Sequence, residues 1–167
     1  MVENIHSFFK EAQNFVEKFN EWANTYKPNA SADHICYKCG DRAEFEQLRT
    51  LFERESEFIY QSIISERPIT VIKFKKALES ALGPITYLEL SDQKPDGSQK
   101  SGFDHIEIYP NDGSMESLAD TLEKQGVHFE KVIRPHHTTF DTVIFDHFKV
   151  RLESEPLVEK IKRDEML

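Results

Sequence analysis

Asp33-His34-Ile35 recurs 71 residues later as Asp104-His105-Ile106. Each copy lies in a short apolar run, residues 32–39 and 103–109, that reads as a strand. A polar break and an amphipathic helix pattern follow each run. The first helix is expected over 41–55, with Phe45, Leu48, Leu51 and Phe52 inward. The second is expected over 114–125, with Met115, Leu118, Ala119 and Leu122 inward and Gly126 as its stop. Three more strand candidates complete each copy: 57–64, 68–74 and 85–90, then 127–133, 138–145 and 148–152. The last strands echo one another, Leu88-Glu89 against Leu152-Glu153. Each half therefore reads β-α-β-β-β, beginning on a histidine and ending on a glutamate. Residues 94–102, rich in Pro, Gly, Ser and Gln, form the linker. One such half cannot cover its own sheet. The expected fold is α+β, with the two halves side by side in one curled eight-stranded sheet and a cleft between them.

Upstream, residues 4–26 place Ile5, Phe8, Phe9, Ala12, Phe15, Val16, Phe19, Trp22, Ala23 and Tyr26 on one helical stripe. The opposite face mixes both charge signs, which fits a helix laid on the domain's own sheet better than a membrane-surface helix. Lys27-Pro28-Asn29-Ala30-Ser31 breaks it. The expected organisation is an N-terminal helix within 1–30 packed on a repeat domain over 31–167. That domain divides into 31–93, 103–156 and a closing helix at 156–165.

Charge and cysteine content narrow the function. Thirty acidic against 21 basic residues leave a net charge of −9, which repels nucleic-acid phosphates and anionic lipid. No window approaches the roughly 18 uninterrupted apolar residues of a membrane span, and Met1-Val2-Glu3-Asn4 does not open a secretory signal. Cys36 and Cys39 are the only cysteines, too few for a disulfide framework, so a cytoplasmic protein is expected.

Side chains alternate along a strand, so His34 and Cys36 face one way and Ile35 and Tyr37 the other. His105, Glu107 and Tyr109 likewise share a face. With helices on the outer face, both histidines point into the cup. Glu89, between Leu88 and Leu90, and Glu153, after Leu152, oppose apolar neighbours and join them. Two imidazoles and two carboxylates, one of each per half, suit a single Zn²⁺, Ni²⁺, Mn²⁺, Fe²⁺ or Co²⁺ ion. Glu107 shares the face of His105 and competes with Glu89 or Glu153 as ligand, or supports one of them.

The paired halves with their His-Glu-His-Glu order resemble the vicinal oxygen chelate superfamily, the glyoxalase and extradiol dioxygenase fold. Within it the chain is similar to the YecM-like family. The segments that carry the resemblance are Ala32-Asp33-His34-Ile35, Arg67-Pro68-Ile69 with Phe74-Lys75, and Asp104-His105-Ile106-Glu107-Ile108. It covers about residues 31–157 and, more loosely, the helix before them. The resemblance implies that His34, Glu89, His105 and Glu153 hold a divalent transition metal. It implies an enzyme in which that metal acts as a Lewis acid on a small oxygen-bearing substrate, with Glu89 or Glu153 as proton carrier. Four protein ligands favour isomerase or lyase chemistry over ring-opening oxygenation, which uses a 2-His-1-carboxylate triad.

Arg67, in a turn between two first-half strands, is a candidate clamp for an anionic substrate. His136-His137, in the matching second-half turn, offers a general acid or base. Cys36 and Cys39, three apart on a strand, face opposite sides and do not chelate together. Two readings of other classes stand beside the enzyme: a metal-free module that binds or sequesters a small molecule in the same cup, and a scaffold whose Phe-rich helix packs on a partner. Both halves lie in one chain, so a monomer can complete the cup, while open sheet edges permit a homodimer.

Overall fold

The computed structural model describes residues 4–53, 56–64, 67–92, 100–134 and 137–165. Asn4 starts the first helix, α1 (Ile5–Tyr26). Its side chain accepts the Ser7 backbone N–H at 2.8 Å, while the Ser7 hydroxyl accepts the Asn4 N–H at 3.2 Å. Lys27, in the left-handed region at φ 47°, ends the helix just before Pro28. Phe8, Ala12, Val16, Phe19, Trp22 and Ala23 are its buried stripe.

The repeat then appears twice. The first copy is β1 (Ala30–Lys38), α2 (Arg42–Glu53), β2 (Glu57–Ile64), β3 (Arg67–Leu78) and β4 (Ile85–Ser91). The second is β5 (Gly102–Pro110), α3 (Met115–Lys124), β6 (Glu130–Ile133), β7 (Thr138–Phe145) and β8 (Phe148–Leu152). All eight strands form one sheet in the order β2-β3-β4-β1-β5-β8-β7-β6. The order is symmetric about β1 and β5, which run antiparallel at the centre, each with its own fourth strand parallel beside it. This is the tandem β-α-β-β-β arrangement expected from the sequence.

Several elements differ in extent from the sequence pattern, and β1 already starts at Ala30, inside the expected break. β3 runs on to Leu78, and β6 begins only at Glu130. Gly126, at φ 102°, turns the chain out of α3, and the Val127 N–H still bonds to the Leu122 carbonyl. Val127 and Phe129 are buried in the core before strand pairing starts. Most of the linker expected at 94–102 lies outside the described residues.

The main core lies on one face of the sheet, under α1, α2 and α3, and contains Ile35, Tyr37, Phe52, Phe74, Phe103, Ile106 and Leu122. A smaller cluster lies on the other face. There α4 (Leu157–Glu165) sets Val158 and Ile161 against Val71, with Leu157 and Tyr87 beside them. The closing helix therefore roofs the first-half side of the cup. Among the described residues no helix is long and apolar enough to cross a membrane.

Candidate metal centre

The two aspartates of the repeated tripeptide break the alternation of their strands. In the β1–β5 ladder, Ala32 pairs with Ile108 and His34 with Glu107, so Asp33 is an extra, unpaired residue. Cys36 pairs with His105 and Tyr37 with Phe103, which leaves Asp104 extra in the same way. Each is a β-bulge. Each bulge shifts the phase of its strand: Ala30 and Ala32 face the helices, and beyond Asp33 it is Ile35 and Tyr37 that do so. The bulges also bring each aspartate alongside its own histidine. His105 Nδ1 donates to Asp104 Oδ2 at 2.7 Å, and His34 Nδ1 lies 3.4 Å from Asp33 Oδ1.

Held from behind, both rings turn Nε2 into the cup. His34 sits across the ladder from Glu107, and β4 delivers Glu89 beside Cys36. Ligand atoms of His34, Glu89, His105 and Glu107 all lie within 4.8 Å of one another. His34, His105 and Glu107 are buried, and Glu89 keeps 19% side-chain exposure. The Nε2 of His34 is buried without a hydrogen-bond partner among the described residues. Carboxylate oxygens of Glu107 and Glu89 stand off it at 3.4 and 3.5 Å.

The charges explain why this cluster survives burial. Burial disfavours the His34 imidazolium most strongly, yet the carboxylates of Glu107, Asp33 and Glu89 outweigh it and hold the pKa well above the usual histidine value. Burial likewise opposes ionisation of Glu89 and Glu107, and the two histidines overcome it, so both pKa values fall below the ordinary carboxylate range. Asp104 is depressed too, against its own burial, by His105, Lys38 and Lys149. The donor set suits a borderline divalent ion: two imidazole nitrogens, each backed by an aspartate, and two ionised carboxylates.

A family model described as YecM protein matches residues 1–162. The chain belongs to the YecM family. Protein YecM of Escherichia coli (strain K12) is 24% identical over 110 residues, 64% of this chain and 58% of that protein's length. The chain thus covers less than two thirds of that relative. A solved structure described as Structural Genomics, Protein EC4020, has a TM-score of 0.69 at 22% identity, covering 91% of this chain and 87% of its own; it shares the fold. A variant of Streptomyces coelicolor methylmalonyl-CoA epimerase, in complex with 2-nitronate-propionyl-CoA, overlaps more loosely, with a TM-score of 0.45 at 17% identity over 75% of this chain and 98% of that one.

In this YecM-family chain the structure brings together three of the four expected ligands, His34, Glu89 and His105, and adds Glu107. Glu153 falls outside that group. Its Oε1 lies 3.1 Å from His137 Nε2, and its Oε2 accepts from Lys160 Nζ at 3.0 Å. Burial first, then the Glu107 charge, push its pKa up to about 7 against the pull of Lys160 and Arg151. The register explains the difference. β4 pairs Leu88 with Ile35 and Glu89 with Cys36, while β8 pairs Val150 with Ile106 and Arg151 with Glu107. The counterpart of Glu89 in the second half is therefore Arg151, and Glu153 lies two residues beyond it. Arg151 grips Asp141 with Nε at 3.0 Å and Nη2 at 3.2 Å, and its Nη1 is 3.4 Å from His105 Nε2.

Of the other candidates, Arg67 is the first residue of β3, paired with Ile64, and its side chain lies outside the described residues. His136 also lies outside them, whereas His137 reaches Glu153. Cys36 is a buried free thiol close to Asp104 and His105, and Cys39 is a free thiol in the helix-side core. Sequence reasoning passed over Arg151, Asp141 and the aspartates' support of the histidines. The repetition of Asp beside His was the available signal for the last of these.

Proposed function

We propose that this chain is a divalent-metal-binding enzyme of isomerase or lyase type acting on a small oxygen-bearing substrate in a reducing cytoplasm. The observation that carries the reading is the buried Nε2 of His34, which has no hydrogen-bond partner among the described residues and faces two carboxylates and a second aspartate-backed imidazole. His34, His105, Glu89 and Glu107 would hold one Zn²⁺, Ni²⁺, Mn²⁺, Fe²⁺ or Co²⁺ ion. Such an ion supplies Lewis acidity to a substrate oxygen.

The remaining steps fall to this chain's own groups. Asp104 and Asp33 fix the orientation of the two imidazoles. Glu153, with its pKa at about 7, is poised to take a proton from an acidic substrate carbon on Oε1 or Oε2 and to return it. His137, with 37% of its side chain exposed and 3.1 Å from Glu153, connects that carboxyl to solvent. Glu89, pulled into its ionised form, stays a ligand in this scheme, and Glu153 is the proton carrier.

Calorimetric titration of chelator-treated protein with Mn²⁺, Ni²⁺ and Zn²⁺ tests the reading. One saturable site is expected, with proton release, because imidazole must be neutral to ligate. Affinity should therefore rise with pH. Asp104→Asn keeps the shape of the Asp104–His105 contact and removes its charge. It should weaken binding by about 10–100-fold with an unchanged circular dichroism spectrum. An unchanged affinity would show that Asp104 does not support the ligand.

Two observations favour a second reading, a metal-free binding or sequestering module. Arg151 Nη1 already stands 3.4 Å from His105 Nε2, and His34 is charge-balanced by its own carboxylates. Absence of saturable binding by all three ions would decide for that module.

A further inference from the structure

The chain carries a net charge of −9, yet the second-half wall of its cup gathers cations. Arg151 lies against His105. Arg134 precedes the β6–β7 turn, and its guanidinium donates to the Thr139 hydroxyl and stands 3.7 Å from Asp141 Oδ2. That carboxylate is already gripped through both oxygens by Arg151. Among the described residues Arg134 thus has no carboxylate to itself. Lys160 approaches from α4 onto Glu153, and His137 meets the same carboxyl from the turn.

Three permanent cations, Arg134, Arg151 and Lys160, stand around Asp141 and Glu153, with the Glu107 charge acting on both arginines and that of Asp104 on Arg151. Two guanidiniums on one carboxylate repel each other unless a further anion joins them. Burial lowers the pKa of His137 most, and Lys160, Arg134 and Arg151 lower it further, with Glu107 opposing them. These groups are also reachable: Arg134 keeps 25% and Lys160 17% of its side chain exposed.

We infer that the second-half wall, formed by Arg134, Arg151 and Lys160, binds the oxyanion group of a small molecule, a carboxylate or a phosphate. Guanidinium groups recognise either through charge-assisted, paired hydrogen bonds. Because Arg151 also touches His105, an anion held there lies at the edge of the candidate metal centre. The substrate class that follows is a small acid with its oxyanion near the reacting oxygen. This rests on the proposed function for its catalytic meaning but not for the binding itself.

The test uses the full chain, both chelator-treated and metal-loaded. Inorganic phosphate and malonate are titrated separately by calorimetry and thermal shift, with chloride at equal ionic strength as control. Saturable binding of at least one oxyanion is expected. It should weaken by about tenfold or more in Arg134→Gln and in Lys160→Met, the loss of one charge-assisted contact. Lys124→Gln, on exposed α3, should bind as the wild type does. Whether phosphate or malonate binds identifies the chemistry of the ligand. In the wild type, the His137 ring resonances should move with the same saturation curve, a readout that stands even if a variant fails to fold. No binding beyond the chloride control, or stationary His137 resonances, would overturn the inference, as would undiminished affinity in Arg134→Gln. Oxyanion binding in chelated protein that takes up no metal would uphold this site while removing the metal reading. Metal uptake without oxyanion binding would do the reverse.

Discussion

Phe8→Ala is expected to lower the unfolding free energy by about 3–5 kcal/mol, the range for emptying a buried phenylalanine site. Phe8 is fully buried, with ring centroids at 5.0 Å from Phe52, 5.1 Å from Phe103, 6.0 Å from Tyr37 and 6.4 Å from Phe74. Those four rings come from α2, β5, β1 and β3, so one side chain of α1 ties the two halves of the repeat together. A cavity there has rigid aromatic walls and little means of collapse. In a chain of this size the loss corresponds to a drop in Tm of roughly 10 °C. Removing residues 1–27 should go further and expose the helix-side face of β1 and β5, giving an aggregating or poorly ordered product. If that truncated chain stayed monomeric and cooperatively folded, α1 would be a separable partner-binding helix, as the scaffold reading requires.

Glu107→Gln and Glu153→Gln should separate the two candidate fourth ligands. The first should reduce metal affinity by more than about 100-fold, the most that loss of a supporting group costs, because it removes a ligand. It leaves His34 with only Glu89 and Asp33 as counter-charges. Glu153→Gln should leave metal affinity within a few fold, since the Glu153 carboxyl is engaged by His137 and Lys160. It should instead abolish proton transfer on any substrate found. The opposite pattern would return Glu153 to the ligand set implied by the family resemblance.

The contrast between these two glutamates shows what could be read without coordinates. Helices and strands were legible because hydrophobic period reports burial directly, and the Asp-His-Ile repeat announced the doubled architecture. Both histidines followed from that repeat. The fourth acid did not, because matching Leu88-Glu89 to Leu152-Glu153 aligns short strings, whereas equivalence is set by hydrogen-bond register. Pairing places Arg151 beside Glu107 as Glu89 lies beside Cys36. A two-residue slip keeps a side chain on the same face, so alternation could not expose it.

The bulges at Asp33 and Asp104 were hidden for a related reason. A bulge is a property of two strands together, and nothing in one strand's composition marks it. Simple alternation put each aspartate opposite its histidine, whereas the bulge sets it alongside. Similarly, Arg67 drew notice as a positive charge in a turn between two first-half strands. Arg134 and Arg151, far apart in the chain, become neighbours only when β6, β7 and β8 are assembled.

The proposed metal site in the cup is built on His34 and His105. Elemental analysis of tag-free protein purified without chelators, beside the His34→Ala/His105→Ala double variant, tests it most directly. The expected result is about one equivalent of a single transition metal per chain in the wild type and none in a folded double variant. A wild-type protein that holds no transition metal, even after reconstitution with Mn²⁺, Ni²⁺, Zn²⁺ and Fe²⁺, would contradict the account.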